Sequence, residues 1–421
     1  MFSKHHLALG LLALSAVLAV SACASGSQNL APTPANNTGN VPPIPTLFEF
    51  PKEDILPSPT LTAGTPFDCW AAPHFEVPPQ QDSSGQLLIA YTGGGILNLY
   101  RFNLQTKKYS LLVSQIESYE PSPDGLNVWY SFYQTANRSM RDVIFVHDLV
   151  RDTRRQVPFP IPIESKQHEV TWSPDSQCLL AWRGDTAYAY RLKDGALQSQ
   201  TFPGVNFGVR ASPSSDGRWL AWSCDKNTCL MSTEGQQVDS EGLHLPIIAD
   251  PQTGYYNHSS NDWSPDGHIL AIAYPSVNWQ RWDAIRLIRF NQAGPSSFRE
   301  MERGGVSSWI VDRAWSPDSS RLIILNSGGQ LIIEDLNTDK LTVDKITIVP
   351  IPDENHAEAA AWSLNGKQIA VLTHDKQYKS NLYIMNADGT NASLIPPLPQ
   401  ETEGAEMVAP DFRISHVFWV P

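Results

Sequence analysis

One five-residue pattern recurs along the chain, and this repetition constrains the fold more than any other feature of the sequence. The pattern is clearest as Trp263-Ser264-Pro265-Asp266-Gly267. In the copy that begins at Ala211, two additional serines separate Pro213 from Asp216 and Gly217. The other copies range from near-identical to faint, and they begin at Trp172, Trp315, Trp362, Pro121 and Gln81. Self-similarity at a spacing of tens of residues indicates a repeat architecture.

Each copy has the chemistry of a turn and is followed by short strand-forming runs. Proline presets φ for a turn, Asp or Asn bonds back to nearby backbone, and Gly accepts a positive φ. A β-rich run such as Ile269–Tyr274 follows the turn, and a second run such as residues 382–385 ends in further turn residues. Because no long helical period separates these runs, the sequence predicts an all-β repeat.

The spacing of the copies predicts the number of units. Successive copies start roughly 40 to 57 residues apart, which suits one four-stranded propeller blade per interval. Residues 414–419 look like a further inner strand ending at Trp419, whereas residues 87–113 have outer strands and no clear inner one. We therefore predict a seven-bladed β-propeller in which the C-terminal strand completes the first blade and leaves no open edge. Six or eight blades are the alternative counts, and an open solenoid is the alternative architecture.

These repeats resemble the WD-repeat-like units of TolB-type β-propellers. The resemblance rests on the Trp-Ser-Pro-Asp-Gly pattern and on residues 383–391, Tyr-Ile-Met-Asn-Ala-Asp-Gly-Thr-Asn, and it covers residues 81–421. It implies the propeller fold, but the shared residues are turn and core residues rather than a binding site. TolB itself has an α/β domain before a six-bladed propeller, whereas this chain has a proline-rich segment and seven units. A role in the Tol–Pal envelope system is therefore not carried over.

The N-terminal residues predict export and lipid anchoring. Lys4 precedes an apolar run over residues 7–20, which is typical of a secretory signal peptide and short for a membrane span. Val20-Ser21-Ala22-Cys23 looks like a bacterial lipobox, which implies that residues 1–22 are removed and that Cys23 is lipidated. Its acyl chains would anchor the protein to a membrane without spanning it. The alternative is an ordinary signal peptide in which Cys23 is incidental.

Composition divides the remaining chain into a tether and one folded domain. Residues 23–66 contain many prolines mixed with Asn, Thr and Gly, a composition that favours an extended, semi-rigid spacer. Residues 67–421 carry the repeats without a break in composition, so we assign them to one β-propeller domain. The net charge of −13 argues against a nucleic-acid partner, since proteins that bind nucleic acids carry a basic stripe.

The cysteines suggest one disulfide and leave another pairing open. Cys224 and Cys229 bracket a plausible hairpin turn, and an exported protein can keep a disulfide there. Cys69 and Cys178 lie far apart in the sequence, which by itself does not decide whether they pair. No second Cys or His pair stands at a spacing that suggests a metal site, and no cofactor motif is present.

Candidate binding residues fall into two groups at the loops and inner-strand starts. Aromatic side chains and Arg on long connections are typical of recognition surfaces, although they could instead cap the blades. The aromatic group comprises Tyr255, Tyr256, Trp279, Arg281, Trp282 and Trp309. The second group consists of histidines before the inner strands, His168, His258, His356 and His416, with polar neighbours that include Asp262, Asp312 and Arg313. Such residues could line a ligand site, or they could solvate the channel and bond one blade to the next.

The resulting functional prediction is a non-catalytic binding protein. We predict a lipid-anchored, extracytoplasmic propeller, periplasmic or extracellular, that binds a protein, peptide or glycan of the cell envelope. The alternative is a propeller enzyme, a metal-dependent lyase or hydrolase at the channel mouth. Four histidines at different distances from their tryptophans do not suit one metal ion well, and no nucleophile elbow, H-E-x-x-H motif or phosphate loop is present.

Overall fold

The turn and strand signals of the sequence are realised as short antiparallel strands. The computed structural model describes residues 67–70, 85–93, 96–136, 139–161, 170–207, 211–224, 227–238, 261–274, 284–302, 310–352, 356–376, 379–398 and 413–420. The predictions of a signal peptide, a lipidated Cys23 and a tether fall on residues 1–66, outside these ranges. Within the ranges, no helix is long and apolar enough to cross a membrane.

The described elements are a 3-10 turn at Asp68–Trp70 and a series of β-strands. In chain order the strands are β1 (Gln86–Gly93), β2 (Ile96–Asn103), β3 (Lys108–Ile116), β4 (Ser118–Pro121), β5 (Asn127–Ala136), β6 (Ser139–Asp148), β7 (Thr153–Val157), β8 (Val170–Trp172), β9 (Cys178–Arg183), β10 (Thr186–Arg191), β11 (Leu197–Thr201), β12 (Ala211–Pro213), β13 (Trp219–Cys224), β14 (Asn227–Ser232), β15 (Asn261–Trp263), β16 (Ile269–Tyr274), β17 (Ala284–Asn291), β18 (Gly294–Glu302), β19 (Ile310–Trp315), β20 (Arg321–Asn326), β21 (Leu331–Asn337), β22 (Thr342–Val349), β23 (His356–Trp362), β24 (Gln368–His374), β25 (Ser380–Asn386), β26 (Ser393–Ile395) and β27 (Arg413–Val420).

The strands form seven antiparallel sheets, which we call blades 1 to 7. From the inner strand outward, and counting described strands alone, they are β27-β1-β2-β3, β4-β5-β6-β7, β8-β9-β10-β11, β12-β13-β14, β15-β16-β17-β18, β19-β20-β21-β22 and β23-β24-β25-β26. The predicted all-β, seven-bladed propeller is confirmed.

The C-terminal strand closes the ring. β27 pairs antiparallel with β1, with Trp419 opposite Leu87 and Val420 opposite Gln86. The first blade therefore joins three strands from the start of the domain to one strand from its end, as predicted. This pairing covers the inner edge of β1, which would otherwise expose unpaired backbone groups.

The core lies between blades rather than within one layer. Successive side chains of a strand point to opposite faces of its sheet, so a strand between two neighbours is apolar at nearly every position. In β9, Leu179 and Ala181 pack toward blade 2, whereas Leu180 and Trp182 pack toward blade 4. Each adjacent pair of blades, including blades 7 and 1, shares one such cluster of buried residues.

The repeated motif is a hairpin turn that satisfies its own polar groups. In blade 5 the Ser264 hydroxyl donates to Asp266 Oδ1 at 2.6 Å and accepts from the backbone N–H of Ile269 at 2.9 Å. Gly267 has φ +73°, a conformation that favours glycine. The same serine bonds recur at Ser122, Ser173, Ser214, Ser316 and Ser363.

The structure corrects the alignment of the motif in blade 4. The alignment of the repeats in the sequence analysis placed Ser212 at the serine position and required two extra serines. Instead, Ser214 makes the serine bonds, to Asp216 Oδ1 at 2.6 Å and from the Trp219 N–H at 2.9 Å. Pro213 therefore holds the position of the motif tryptophan, and the turn contains no insertion. The error arose because Pro213 follows a serine and imitates the Ser-Pro step of the other copies.

Two disulfides join the described cysteines. Cys224 and Cys229 are linked across the β13–β14 hairpin, with Cα atoms 5.7 Å apart. Cys69 is linked to Cys178 at the start of β9, with Cα atoms 5.8 Å apart. The second bond fastens residues 67–70 to the rim between blades 3 and 4, where the Trp70 ring stacks on Trp182 and its N–H donates to a β11 side chain.

Candidate functional site

The ends of the strands define two faces of the ring. The motif face carries the hairpin turns between each inner strand and the next, such as residues 263–269. The loop face is the opposite one, where the inner strands begin. In blade 5, Asn261 pairs with Ile272 and Tyr274 pairs with Ala284, so these strand ends all lie at the loop face. The first residues of the inner strands surround one opening there, which we call the channel mouth.

Most of the sequence-suggested binding residues lie outside the described part of the chain. They are Tyr255, Tyr256, Trp279, Arg281, Trp282, Trp309, His168 and His258. The described strand ends that flank residues 275–283, Tyr274 and Ala284, are at the loop face, and Glu302 pairs with Ala284 at the same end. The involvement of these residues in binding stays a prediction.

His356 lies at the loop face of blade 7 in a polar cluster. It is exposed at the start of β23, and its ring stacks on that of His374 with centroids 5.4 Å apart. His374 Nδ1 lies 2.9 Å from Glu358 Oε1, whose side chain is 41% exposed. His356 also packs against Gly329, where its ring leaves no room for a Cβ atom. These contacts fix two imidazoles and a carboxylate where a ligand could reach them.

His416 has a different environment on the inner strand of blade 1. Its ring stacks on Phe418 with centroids 6.4 Å apart and faces the edge of Tyr119 in blade 2 at 6.3 Å. The ring remains accessible to solvent, yet the surrounding protein removes part of its hydration and so lowers the pKa of His416. His356 and His416 thus belong to different groups of contacts, although blades 7 and 1 are neighbours.

A partly buried ion pair links the inner strands of blades 5 and 6. Arg313 Nε lies 2.7 Å from Asp262 Oδ2, and the Arg313 side chain is 5% exposed. Burial raises the pKa of the adjacent Asp312 carboxyl. The hydrogen bond from the Arg313 N–H and the charge of Arg313 act in the opposite direction but do not cancel this increase. Arg313 is almost closed to solvent, so the pair bonds blade to blade, whereas the Asp262 side chain remains 34% exposed.

Glu120 forms a comparable link between blades 2 and 3. Its carboxylate accepts from Trp129 Nε1 at 3.3 Å and from the Thr171 hydroxyl at 3.4 Å. Its backbone carbonyl accepts from Trp172 Nε1 at 2.9 Å. The sequence analysis did not identify Glu120, because a single carboxylate before a turn forms no recognisable motif.

The described part of the loop face therefore brings His356, Glu358 and His374 together in one solvent-accessible polar cluster. Sequence reasoning found His356 but missed the other two. The hairpin register could have found His374, since it pairs directly with His356 across β23 and β24. In the described ranges, no three His, Cys, Asp or Glu side chains are arranged to hold a metal ion.

Comparisons with known proteins find similarity in structure alone. No model of a known protein family matches the chain, and no curated protein matches its sequence. Among solved structures, TolB from Acinetobacter baumannii is 15% identical, covers 81% of this chain and 68% of its own, and has a TM-score of 0.44. A functionally unknown protein from Desulfotomaculum acetoxidans is 12% identical over 79% of this chain and 99% of its own, with a TM-score of 0.47. Hsv2 from Kluyveromyces lactis is 11% identical over 79% and 98%, with a TM-score of 0.41.

Proposed function

We propose that this protein is a lipid-anchored, extracytoplasmic β-propeller that binds a protein, peptide or glycan of the cell envelope through its loop face. The observation that carries the proposal is the exposed polar cluster of the loop face, which differs from the self-satisfied turns of the repeated motif. On the motif face, the serine and carboxylate or amide groups of each described motif bond to one another and to the turn backbone. On the loop face, His356 and Glu358 present exposed polar groups held by neighbouring rings and backbone.

The chemistry of the loop face is that of a recognition surface. Two stacked imidazoles and a carboxylate can donate and accept hydrogen bonds with peptide or sugar groups. The aromatic and Arg side chains predicted on the neighbouring connections would add apolar area, and such residues contribute strongly to binding energy. The acidic net charge of −13 favours a neutral or cationic partner at this face.

Site-specific photocrosslinking on intact membranes tests which face binds. A crosslinking amino acid at Glu358 should capture a distinct envelope component, whereas the same residue at Asp388, in a turn of the motif face, should not. A product obtained equally from both positions, or from Asp388 alone, would contradict binding through the loop face.

The lipid anchor has its own test. Cys23→Ser should move the protein from the membrane to the soluble exported fraction, or stall its processing, because acyl chains provide the attachment. If the variant stays on the membrane with unchanged lipid labelling, the lipobox interpretation is wrong.

A further inference from the structure

A pocket on the motif face joins three turns of blades 4 and 5. It has a volume of about 280 Å³ and is lined by Arg218, His268, Arg289, Phe290, Asn291 and Gln292. Arg218 and His268 each directly follow the motif glycine of their blade. The other four residues end β17 or begin its turn into β18. The pocket therefore lies opposite the channel mouth and is separate from the site proposed above.

The floor of the pocket is apolar and firmly packed. Phe290 is 3% exposed and lies in the cluster between blades 4 and 5. Its ring is 4.8 Å from that of Trp263 and 5.5 Å from that of Trp219, measured between centroids. Rings packed in this way do not move to fill the space above them, so the polar side chains at the rim keep an open cavity between them.

Both guanidinium groups at the rim of the pocket are paired with carboxylates. Arg218 Nε lies 3.0 Å from Asp216 Oδ2, and the Arg218 side chain is 44% exposed. Within the described residues, its two Nη groups make no hydrogen bond. Arg289 donates from Nη1 to the Asp339 carbonyl at 2.6 Å and from Nη2 to Asp339 Oδ1 at 3.0 Å. The Nη edge of Arg218 is thus positioned as a two-pronged donor, the geometry that suits a carboxylate or phosphate.

The repeat supplies an internal comparison for the two basic turn residues. The position directly after the motif glycine, or after the serine that replaces it, holds Leu126, Gln177, Ser320 and Lys367 in blades 2, 3, 6 and 7. The turn keeps the same serine bonds in all of them. The turn itself therefore does not require Arg218 or His268. A basic residue also stands at this position in blade 7, so the local feature of blades 4 and 5 is that two such residues meet Arg289 around one pocket.

We propose that this pocket binds a single anionic group, a carboxylate or phosphate, carried by a small hydroxylated molecule such as a sugar acid. The Arg218 fork takes two oxygens of the anion, and the Asn291 and Gln292 amides with His268 bond its remaining polar groups. Asp216, Asp266 and Asp339 lie against the three basic residues. Their charges offset the cations, so recognition of the anion rests on the directed Arg218 Nη donors rather than on net charge, and the pocket disfavours a polyanion.

Calorimetric titration of the full-length protein in detergent, with sodium glucuronate and separately with inorganic phosphate, tests the proposal. We expect saturable binding of at least one probe at one site per chain. Arg218→Ala should weaken it at least tenfold. Arg218→Lys, which keeps the charge and loses the fork, should also weaken it severalfold. The matched control is Arg151→Ala, since Arg151 is an exposed arginine paired with Asp148 on the motif face of blade 2.

The results of the two titrations distinguish a carboxylate ligand from a phosphate ligand and define what would overturn the proposal. Saturation by glucuronate alone assigns a sugar carboxylate, and saturation by phosphate alone assigns a phosphate group. Absence of saturation with both probes overturns the proposal, as does equal weakening by Arg218→Ala and Arg151→Ala, which would show a diffuse charge effect. Should Arg218→Ala fail to fold, His268→Ala decides, because unchanged affinity in that variant would exclude the pocket.

Discussion

The indole Nε1 of Trp419 donates a hydrogen bond to the backbone carbonyl oxygen of Ala361, 3.2 Å away on the inner strand of blade 7. The motif tryptophans Trp172, Trp263, Trp315 and Trp362 make the corresponding bond to the preceding blade. Trp419 therefore joins the closing strand to the preceding blade through the same hydrogen bond that the motif tryptophans make in their blades. The C-terminal strand is tied to blade 1 by backbone pairing and to blade 7 by this side chain.

Closure of the ring should depend on Trp419. Its side chain is 8% exposed, so Trp419→Ala should cost about 3–5 kcal/mol of unfolding free energy, in line with other buried Trp→Ala changes. Trp419→Phe, which keeps much of the apolar area, should cost less. Deleting residues 414–421 should cost more than either, because it exposes the inner edge of β1. Urea denaturation measures all three, with the exposed Leu394→Ala as control, and a truncated domain as stable as the full one would refute the closure argument.

The two disulfides should differ in their effect on stability. Cys69 and Cys178 are 109 residues apart, whereas Cys224 and Cys229 are 5 apart. Because a crosslink that closes a longer loop restricts the unfolded chain more, replacing the first pair by serine should cost about 2–5 kcal/mol. The same replacement of the second pair serves as the matched control and should cost less. Equal losses would indicate that residues 67–70 add little to the blade 3 and 4 rim.

Stability should fall with pH below neutrality because of His147. Burial lowers the pKa of His147 despite its 2.9 Å contact with Asp152, and the Arg101 charge acts in the same direction as burial. The unfolded state, with an ordinary His pKa of about 6.5, then binds more protons than the native state. Stability is thus complete above about pH 6.5 and is lost as the pH falls toward the lowered native pKa. His147→Gln should reduce the change of the denaturation midpoint between pH 5 and 7. An unchanged pH dependence in this variant would exclude His147 as its cause.

The aromatic residues predicted on the loop face should contribute to binding rather than to folding. Trp279→Ala and Trp282→Ala should each weaken binding of the natural partner by at least about 1–2 kcal/mol, with little change in Tm. Phe298→Ala on the outer strand of blade 5, where the residue is 43% exposed, is the matched aromatic control. Variants that unfold while the control stays folded would assign the tryptophans to blade packing instead.

Local chemistry explains how far the fold could be predicted. The motif turn is made from residues within six positions of one another, such as Ser264 and Ile269, so its bonds follow from the sequence directly. Blade 4 shows the limit of that reasoning, because Ser212 and Ser214 both suit the pattern and only the hydrogen bonds distinguish them. In the candidate site, His356 was visible as a histidine before an inner strand. His374 could be reached only through the hairpin register that pairs it with His356, and Glu358 carries no local signal.

The sequence by itself determined the all-β architecture, the seven repeats and the completion of the first blade by residues 414–419, since turn chemistry and strand periodicity are local and recur in each unit. The tertiary structure decided the pairing of Cys69 with Cys178, the tryptophan bonds between blades, and the meeting of Arg218, His268 and Arg289 around one pocket. These contacts join residues that are distant in the chain. They depend on the curvature and spacing of packed blades, which no local pattern specifies.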